Sequence, residues 1–431
     1  MDRGVSPQAD LFVYNIGQLC TMAGPARPRR GAEMADVGLV SRGALAARDG
    51  MILAAGPESE VRDGVALAPG ALEVDAGGRV VTPGLWDPHT HLCYAGSREE
   101  EFAWRLGGRA YLEILAAGGG ILSTVRATRA ASDHLLLTLL LSRLDQATAS
   151  GTTGIEIKSG YGLSTAEEIR LLRVIRAAAA THPVRVVPTF LGAHAVPPEF
   201  RGRTDDYTRL VIDEMIPVVA ADGLAEFCDV FCEEGVFDLA QSRAILRAAR
   251  QAGLGLKIHA DEIAPMGGAE LAAELGAVAA DHLVHVSQDG IAAMAKAGVV
   301  AVLLPGTSLT LGSPYAPARE LIAAGVPVAL ASDGNPGTSP TESLQAVLPL
   351  AARTLRLGPE EVLAAATVNA AWAVGRGRVS GTLEPGRYAD FVIWDVPNYR
   401  YIPYHYGSNL AYEVYIGGRL AAREGVMVRE Q

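Results

Sequence analysis

The chain has 431 residues, of which 49% are hydrophobic and 20% charged, enough for one large globular domain and a smaller one. Its formal charge of -11 provides no basic footprint, which argues against nucleic acid or an anionic membrane surface as a partner. Four scattered cysteines exclude a disulfide framework, and no apolar run is long enough to span a bilayer.

The first segment, up to about residue 75, is rich in short β-type runs. Leu11-Phe12-Val13-Tyr14 is one, and residues 43–52 form another pair around an Asp49-Gly50 hairpin turn. No basic stretch followed by an apolar core precedes them, so no export signal is expected and a cytoplasmic location is. The apolar run Val80-Val81-Thr82-Pro83-Gly84-Leu85-Trp86 follows, read as a strand that closes on Asp87-Pro88-His89-Thr90-His91. Side chains two apart on a strand point to one side, so His89 and His91 are placed to share a metal ion.

From here short β runs alternate with helical segments. Residues 151–158 precede a helix opened by Ser164, with Glu167 at capping-box spacing and Ile169, Leu172 and Ile175 on one face. Further strands are expected at 185–190, 228–232, 255–259, 277–282, 299–304 and 326–331. Eight strands in regular β-then-α alternation predict a (β/α)8 TIM-type barrel. The tail returns to the style of the N-terminus, with a strand at 389–394 and a hairpin at 413–419. The predicted organisation is a barrel over residues 76–379 and a composite β-sandwich domain from residues 1–75 and 380–431.

Polar residues cluster where each β run gives out, the end at which barrel enzymes keep their active sites. These are His89 and His91, then Lys158 leading into Ser159-Gly160-Tyr161-Gly162, then His194. His259 follows, with Asp261 and Glu262 just beyond it, then Asp281-His282 and Ser332-Asp333-Gly334-Asn335. Five of the nine histidines thus fall at one end of the barrel, while His134, His182, His285 and His405 are expected to be solvated or packing residues. His89, His91, His259 and Asp333 supply three neutral nitrogens and a carboxylate, a shell suited to zinc or ferrous iron with one position open for water. Such an ion lowers the pKa of its water to roughly 7, and a carboxylate beside it can carry the proton, a role that fits Asp333. Lys158 and Glu233, at strand ends, leave room for a second ion, although one is favoured.

Several blocks together carry a resemblance. Asp87-Pro88-His89-Thr90-His91-Leu92 resembles the metal-dependent amidohydrolase superfamily. His91-Leu92-Cys93-Tyr94-Ala95-Gly96-Ser97-Arg98-Glu99 and Gly118-Gly119-Gly120-Ile121-Leu122-Ser123-Thr124-Val125-Arg126 narrow it to the imidazolonepropionase family. Lys158-Ser159-Gly160-Tyr161-Gly162-Leu163, Thr189-Phe190-Leu191-Gly192-Ala193-His194 and Ser332-Asp333-Gly334-Asn335-Pro336-Gly337 add to it. The blocks run in order from about residue 70 to residue 380, and departures such as Trp86 and Cys93-Tyr94 fall on framework positions.

The resemblance implies one divalent ion, zinc or iron, on His89, His91, His259 and Asp333. It implies Arg98, Tyr161, His194 and Glu262 as substrate contacts, with Asn335, Gly337 and Thr338 closing the pocket. The small-molecule substrate would be 4-imidazolone-5-propanoate, opened to N-formimidoyl-L-glutamate by metal-bound hydroxide, with Asp333 as proton shuttle. His282 and Glu262 join Asp333 as expected catalytic residues, and a homodimer is implied. The physical chemistry agrees. Arg98 offers a planar fork for the substrate carboxylate, Glu262 can orient the ring, and His282 can polarise the carbonyl unless it serves only as a structural partner of Asp281. The rival readings are another amidohydrolase, a deaminase or cyclic amidase on the same metal shell, or a non-catalytic scaffold.

Overall fold

The computed structural model describes residues 7–108 and 119–429. Gly118 of the glycine block therefore lies outside the described residues, whereas Ile121–Ala130 is a helix. Among the described residues, no helix is long and apolar enough to cross a membrane.

Among the described residues, eight parallel strands form the barrel: Leu85–Asp87, Thr152–Lys158, Arg185–Ala193, Phe227–Cys232, Gly255–Ala260, Ala279–His282, Val300–Leu303 and Val328–Leu330. A bridge between Thr90 and Gly334 joins the first and last strands just beyond their ends. Strand alternation sorts the side chains. Ile155, Ile157, Phe190, Val230, Ile258 and Leu303 face the helices in one continuous core, while their neighbours face inward.

The inward residues are arranged in levels. The lowest is apolar, with Trp86, Val187, Phe227, Ala279, Val302 and Ala329 packed on Ala370, Ala371 and Ala373. The last three belong to the helix Val368–Ala373, which plugs that end. Above this level lie Glu156, Lys158, Asp229, Lys257 and Asp281, all fully buried. The histidines form the top level.

The lowest level rests on a glycine. The Trp86 ring lies across Gly154, where an added Cβ would meet ring carbons at 2.3–2.4 Å, and Trp86 Nε1 donates to Ser380 Oγ at 2.8 Å. Gly154→Ala is therefore expected to destabilise the fold by about 3 kcal/mol, the upper part of the overpacking range. Thermal unfolding checks this, and an unchanged Tm would contradict it.

Segments from both sides of the barrel contribute to a second sheet, of nine strands among the described residues. Gln8–Cys20 pairs antiparallel with Leu39–Arg48, and in parallel with Ala66–Asp75 and Val80–Pro83. Phe391–Trp394, Ala411–Ile416, Arg419–Arg423 and Val426–Met427 complete it from the C-terminal side. The expected hairpins form, Leu39–Arg48 to Met51–Pro57 through Asp49 and Gly50, both at positive φ, and Ala411–Ile416 to Arg419–Arg423 through Gly417 and Gly418.

Two expectations need correction. The run from Val80 to Trp86 is not one strand, because Val80–Pro83 pairs with Phe391–Trp394 in the terminal sheet and only Leu85–Asp87 enters the barrel. Gly84 makes the transfer where a Cβ would lie 2.1 Å from Thr153 Oγ1. The capping box at Ser164 is only half formed. Ser164 Oγ accepts from Glu167 N–H, but the Glu167 carboxylate turns to Arg170 at 2.6 Å, a charged partner that outcompetes a backbone amide.

Candidate active site

His89 and His91 stand just past the end of their strand rather than on it, and backbone pairing still holds them extended. Asp333 N–H donates to His89 O at 3.1 Å, His91 N–H to Gly334 O at 2.9 Å and Lys158 N–H to Thr90 O at 2.9 Å. The first, second and eighth strand ends are thereby locked to one another. The Nε2 atoms of His89 and His91 are 3.2 Å apart, and Asp333 Oδ1 lies 3.5 Å from each. A donor atom of His259 joins the two histidines within 4.8 Å. Asp333 has φ +55°, a left-handed conformation that a non-glycine residue keeps only when its surroundings enforce it.

These donors fit a divalent ion. Burial, then nearby Lys158 and His259, hold His89 well below the ordinary imidazole range, and burial with His194 and His259 does the same for His91. Neutral nitrogens that converge at this distance, inside a protein, have a cation as their natural common partner. The far side of each ring is also served. His89 Nδ1 lies 2.6 Å from Asp281 Oδ2, and His259 Nδ1 lies 3.0 Å from Asp229 Oδ2. Burial works against a charge on His259, but the Asp229 carboxylate outweighs it and raises the ring's proton affinity, which also makes it a stronger ligand. Burial pushes Asp333 up to about 6, moderated by the Thr307 hydroxyl that donates to its Oδ2.

The expected substrate residues surround this cluster. The His194 ring stacks on His91 with centroids 4.9 Å apart, and Tyr161 lies 5.4 Å from His194 and 6.1 Å from His91. Gly160 is what lets them approach. It has φ +105°, and a Cβ there would meet His194 Nδ1 at 2.8 Å and Leu191 O at 2.9 Å. The Glu168 carboxylate accepts from the N–H groups of Gly160, Gly162 and Leu163 and so fixes the Tyr161 loop. His282 Nε2 is 3.5 Å from Glu262 Oε2, and burial followed by the Asp333 charge pushes Glu262 up to about 8.

Arg98 is anchored on one edge. Its Nε and Nη2 donate to Glu101, a buried carboxylate that also accepts from Gly120 N–H, while Nη1 faces Gly337. In the loop after Asp333, Asn335 Oδ1 accepts from the N–H groups of Gly337 and Thr338, and its Nδ2 donates to Asp333 O. Asn335 thus shapes the loop that carries Gly337 and Thr338.

Other sequence expectations resolve differently. The Glu233 carboxylate accepts from Ile263 and Ala264 N–H and holds the loop bearing Glu262. Asp281 partners His89 rather than His282, because consecutive strand residues face opposite ways and His282 turns at φ +74°. Asp261 accepts from the N–H groups of Met266, Gly267, Gly268 and Ala269, a helix-capping role. His182 packs with its Nδ1 accepting from Val184 N–H, and His405 stacks on Tyr401, in keeping with the roles expected of them. Sequence reasoning missed Glu101, Glu156, Glu168, Asp229, Lys257 and Thr307. For Glu156, Asp229 and Lys257 the signal was available, a charge at an alternate position of an otherwise apolar strand.

Comparison with known proteins places this geometry in context. A profile of the amidohydrolase family matches residues 80–421. An imidazolonepropionase from Symbiobacterium thermophilum is 54% identical over 422 residues, covering 97% of this chain and 99% of its own. One from Geobacillus kaustophilus is 53% identical over 417 residues, covering 96% and 98%. Among solved structures, an adenosine deaminase from Xanthomonas campestris with bound zinc shares the fold with a TM-score of 0.73 at 19% identity, covering 99% of this chain and 96% of its own. The guanine deaminase of E. coli does so with a TM-score of 0.72 at 16% identity, covering 96% and 99%. From profile and near-full-length identity together, the chain belongs to the amidohydrolase family and, within it, to the imidazolonepropionases.

Proposed function

We propose that this chain hydrolyses 4-imidazolone-5-propanoate to N-formimidoyl-L-glutamate, a step of histidine degradation. The observation that carries the reading is the identity of 54% over 97% of the chain with a relative named for that activity. A site that combines an arginine with a cluster of histidines and a carboxylate supports it. His89, His91 and His259, through Nε2, and Asp333, through Oδ1, would hold one divalent ion, zinc or iron. When bound, the ion supplies a Lewis acid that polarises a carbonyl and brings the pKa of water to roughly 7.

The protein's own groups then divide the work. Arg98 Nη1 binds the propanoate carboxylate, while Tyr161 and His194 confine the ring. Glu262, protonated at neutral pH by its burial, donates to the ring and sets its orientation. His282 Nε2 donates to the carbonyl oxygen as negative charge develops there. Asp333 takes a proton from the attacking water on Oδ2, beside the Thr307 hydroxyl, and returns it to the departing ring nitrogen. Water adds its oxygen to the carbonyl carbon, the carbon–nitrogen bond breaks, and the nitrogen leaves protonated. We further propose a homodimer, on the resemblance stated above, and a location in the cytoplasm.

The test follows the loss of the substrate's absorbance. Exhaustive chelation is expected to abolish turnover, and zinc or ferrous iron, added back at one ion per chain, to restore it. Undiminished activity in the metal-free protein, or preference for another cyclic amide in a substrate panel, would overturn the reading.

A further inference from the structure

A TIM barrel's interior is normally filled by branched apolar side chains. Here the level directly beneath the histidines carries five charges, Glu156, Lys158, Asp229, Lys257 and Asp281, each with no solvent exposure. Strand alternation puts them there, since Glu156 and Lys158 are two apart and Lys257 is two before His259. Buried ion pairs rarely improve on apolar packing of the same volume, so stability does not account for this level.

Its connections point upward. Lys158 Nζ lies 2.7 Å from Asp229 Oδ2, 2.9 Å from Glu156 Oε2 and 3.6 Å from Asp281 Oδ2. Lys257 Nζ donates to Glu156 Oε2 and to Pro88 O, both at 2.6 Å, and lies 3.5 Å from Asp281 Oδ2. The Asp281 and Asp229 oxygens that meet the lysines are the same atoms that meet His89 Nδ1 and His259 Nδ1. Pro88 O belongs to the residue before His89, so Lys257 also ties down the backbone of the His-x-His segment. Donor atoms of His89, Glu156 and Asp281 come within 4.8 Å of one another, and the Lys158 and Lys257 nitrogens lie against the same carboxylates.

We propose that Lys158 and Lys257 are positioning residues for the metal centre. Each ammonium group fixes a carboxylate, the carboxylates hold His89 and His259 as Nδ1–H tautomers, and both rings then present Nε2 as a lone pair to one ion. The inference rests on the ligand set proposed above.

Nitrogen-15 NMR of imidazoles in the metal-free full-length protein reads the tautomer directly. His89 and His259 are expected to carry a proton on Nδ1, and a neutral ring of either with its proton on Nε2 would overturn the proposal. Zinc affinity, measured by competition with a chromogenic chelator, reads the consequence. Glu156→Gln combined with Lys257→Met removes a paired charge of each sign, and Lys158→Gln removes the ammonium shared by both aspartates. Each is expected to weaken zinc binding by about tenfold or more, the usual effect of losing a group that orients a metal ligand. Each is also expected to mix the tautomers, a change that simple loosening of the barrel would not produce. Wild-type zinc affinity with wild-type imidazole spectra in these variants overturns the positioning role. His89→Ala separates this from failure of the ligand set. Zinc binding lost there but retained in the lysine variants overturns positioning alone, whereas full zinc binding in His89→Ala overturns the ligand set and the positioning role with it.

Discussion

Asp333→Asn is expected to lower kcat by about 10²–10⁴-fold, the span assigned to a positioned general acid–base group. Asparagine preserves the shape of the side chain and keeps one oxygen to face the histidines, while its amide nitrogen replaces Oδ2, so that the Thr307 hydroxyl, which now donates there, turns to accept. The backbone link from Asp333 N–H to His89 O and the bond from Asn335 Nδ2 to Asp333 O do not depend on the side chain. Fold and strand-end geometry should therefore persist, as should one oxygen facing the histidines. What asparagine lacks is a site that takes a proton from water and gives it back. Turnover is measured beside metal content and circular dichroism, and activity within tenfold of the parent in folded, metal-loaded variant would remove Asp333 from the proton-transfer role.

Arg98→Ala is expected to raise KM by about 10–100-fold, which corresponds to the roughly 1.5–3 kcal/mol of a hydrogen bond to a charged group. Its effect on metal content should be slight, because the guanidinium contacts Glu101 and the Gly337 loop rather than the histidines. Truncation also strands the buried Glu101 carboxylate, so Arg98→Lys, which restores a charge without the fork, is the necessary companion. Gly337→Ala tests the same assignment from the opposite side. An added Cβ would fall 1.9 Å from Arg98 Nη1, so the guanidinium must move while all four proposed metal donors stay intact. Its KM should rise with Arg98→Ala, and an unchanged KM in both would sink the carboxylate-clamp assignment.

Much of this molecule can be read along the chain because strand and helix patterns are local. Asp49-Gly50 and Gly417-Gly418 announce their hairpins, since few other residues accept two successive positive φ angles. The histidines at 89, 91, 194, 259 and 282 fall at strand ends because the alternation of β and α segments is legible. The break within residues 80–86 was not, because an apolar run carries no mark of which sheet each half will join. Gly84 is intelligible only once Thr153 is seen beside it.

By itself the sequence determined the barrel, the end of it at which the histidines gather, and the residues proposed to bind metal and substrate there. Only the tertiary structure decided who partners whom behind that constellation: Asp281 with His89, Asp229 with His259, Glu101 with Arg98, and the two lysines beneath. Alternation fixes the face on which a side chain lies, but not the height it shares with residues on other strands. That height is set by the stagger of strands when the barrel closes, a property of all eight together and of no single segment.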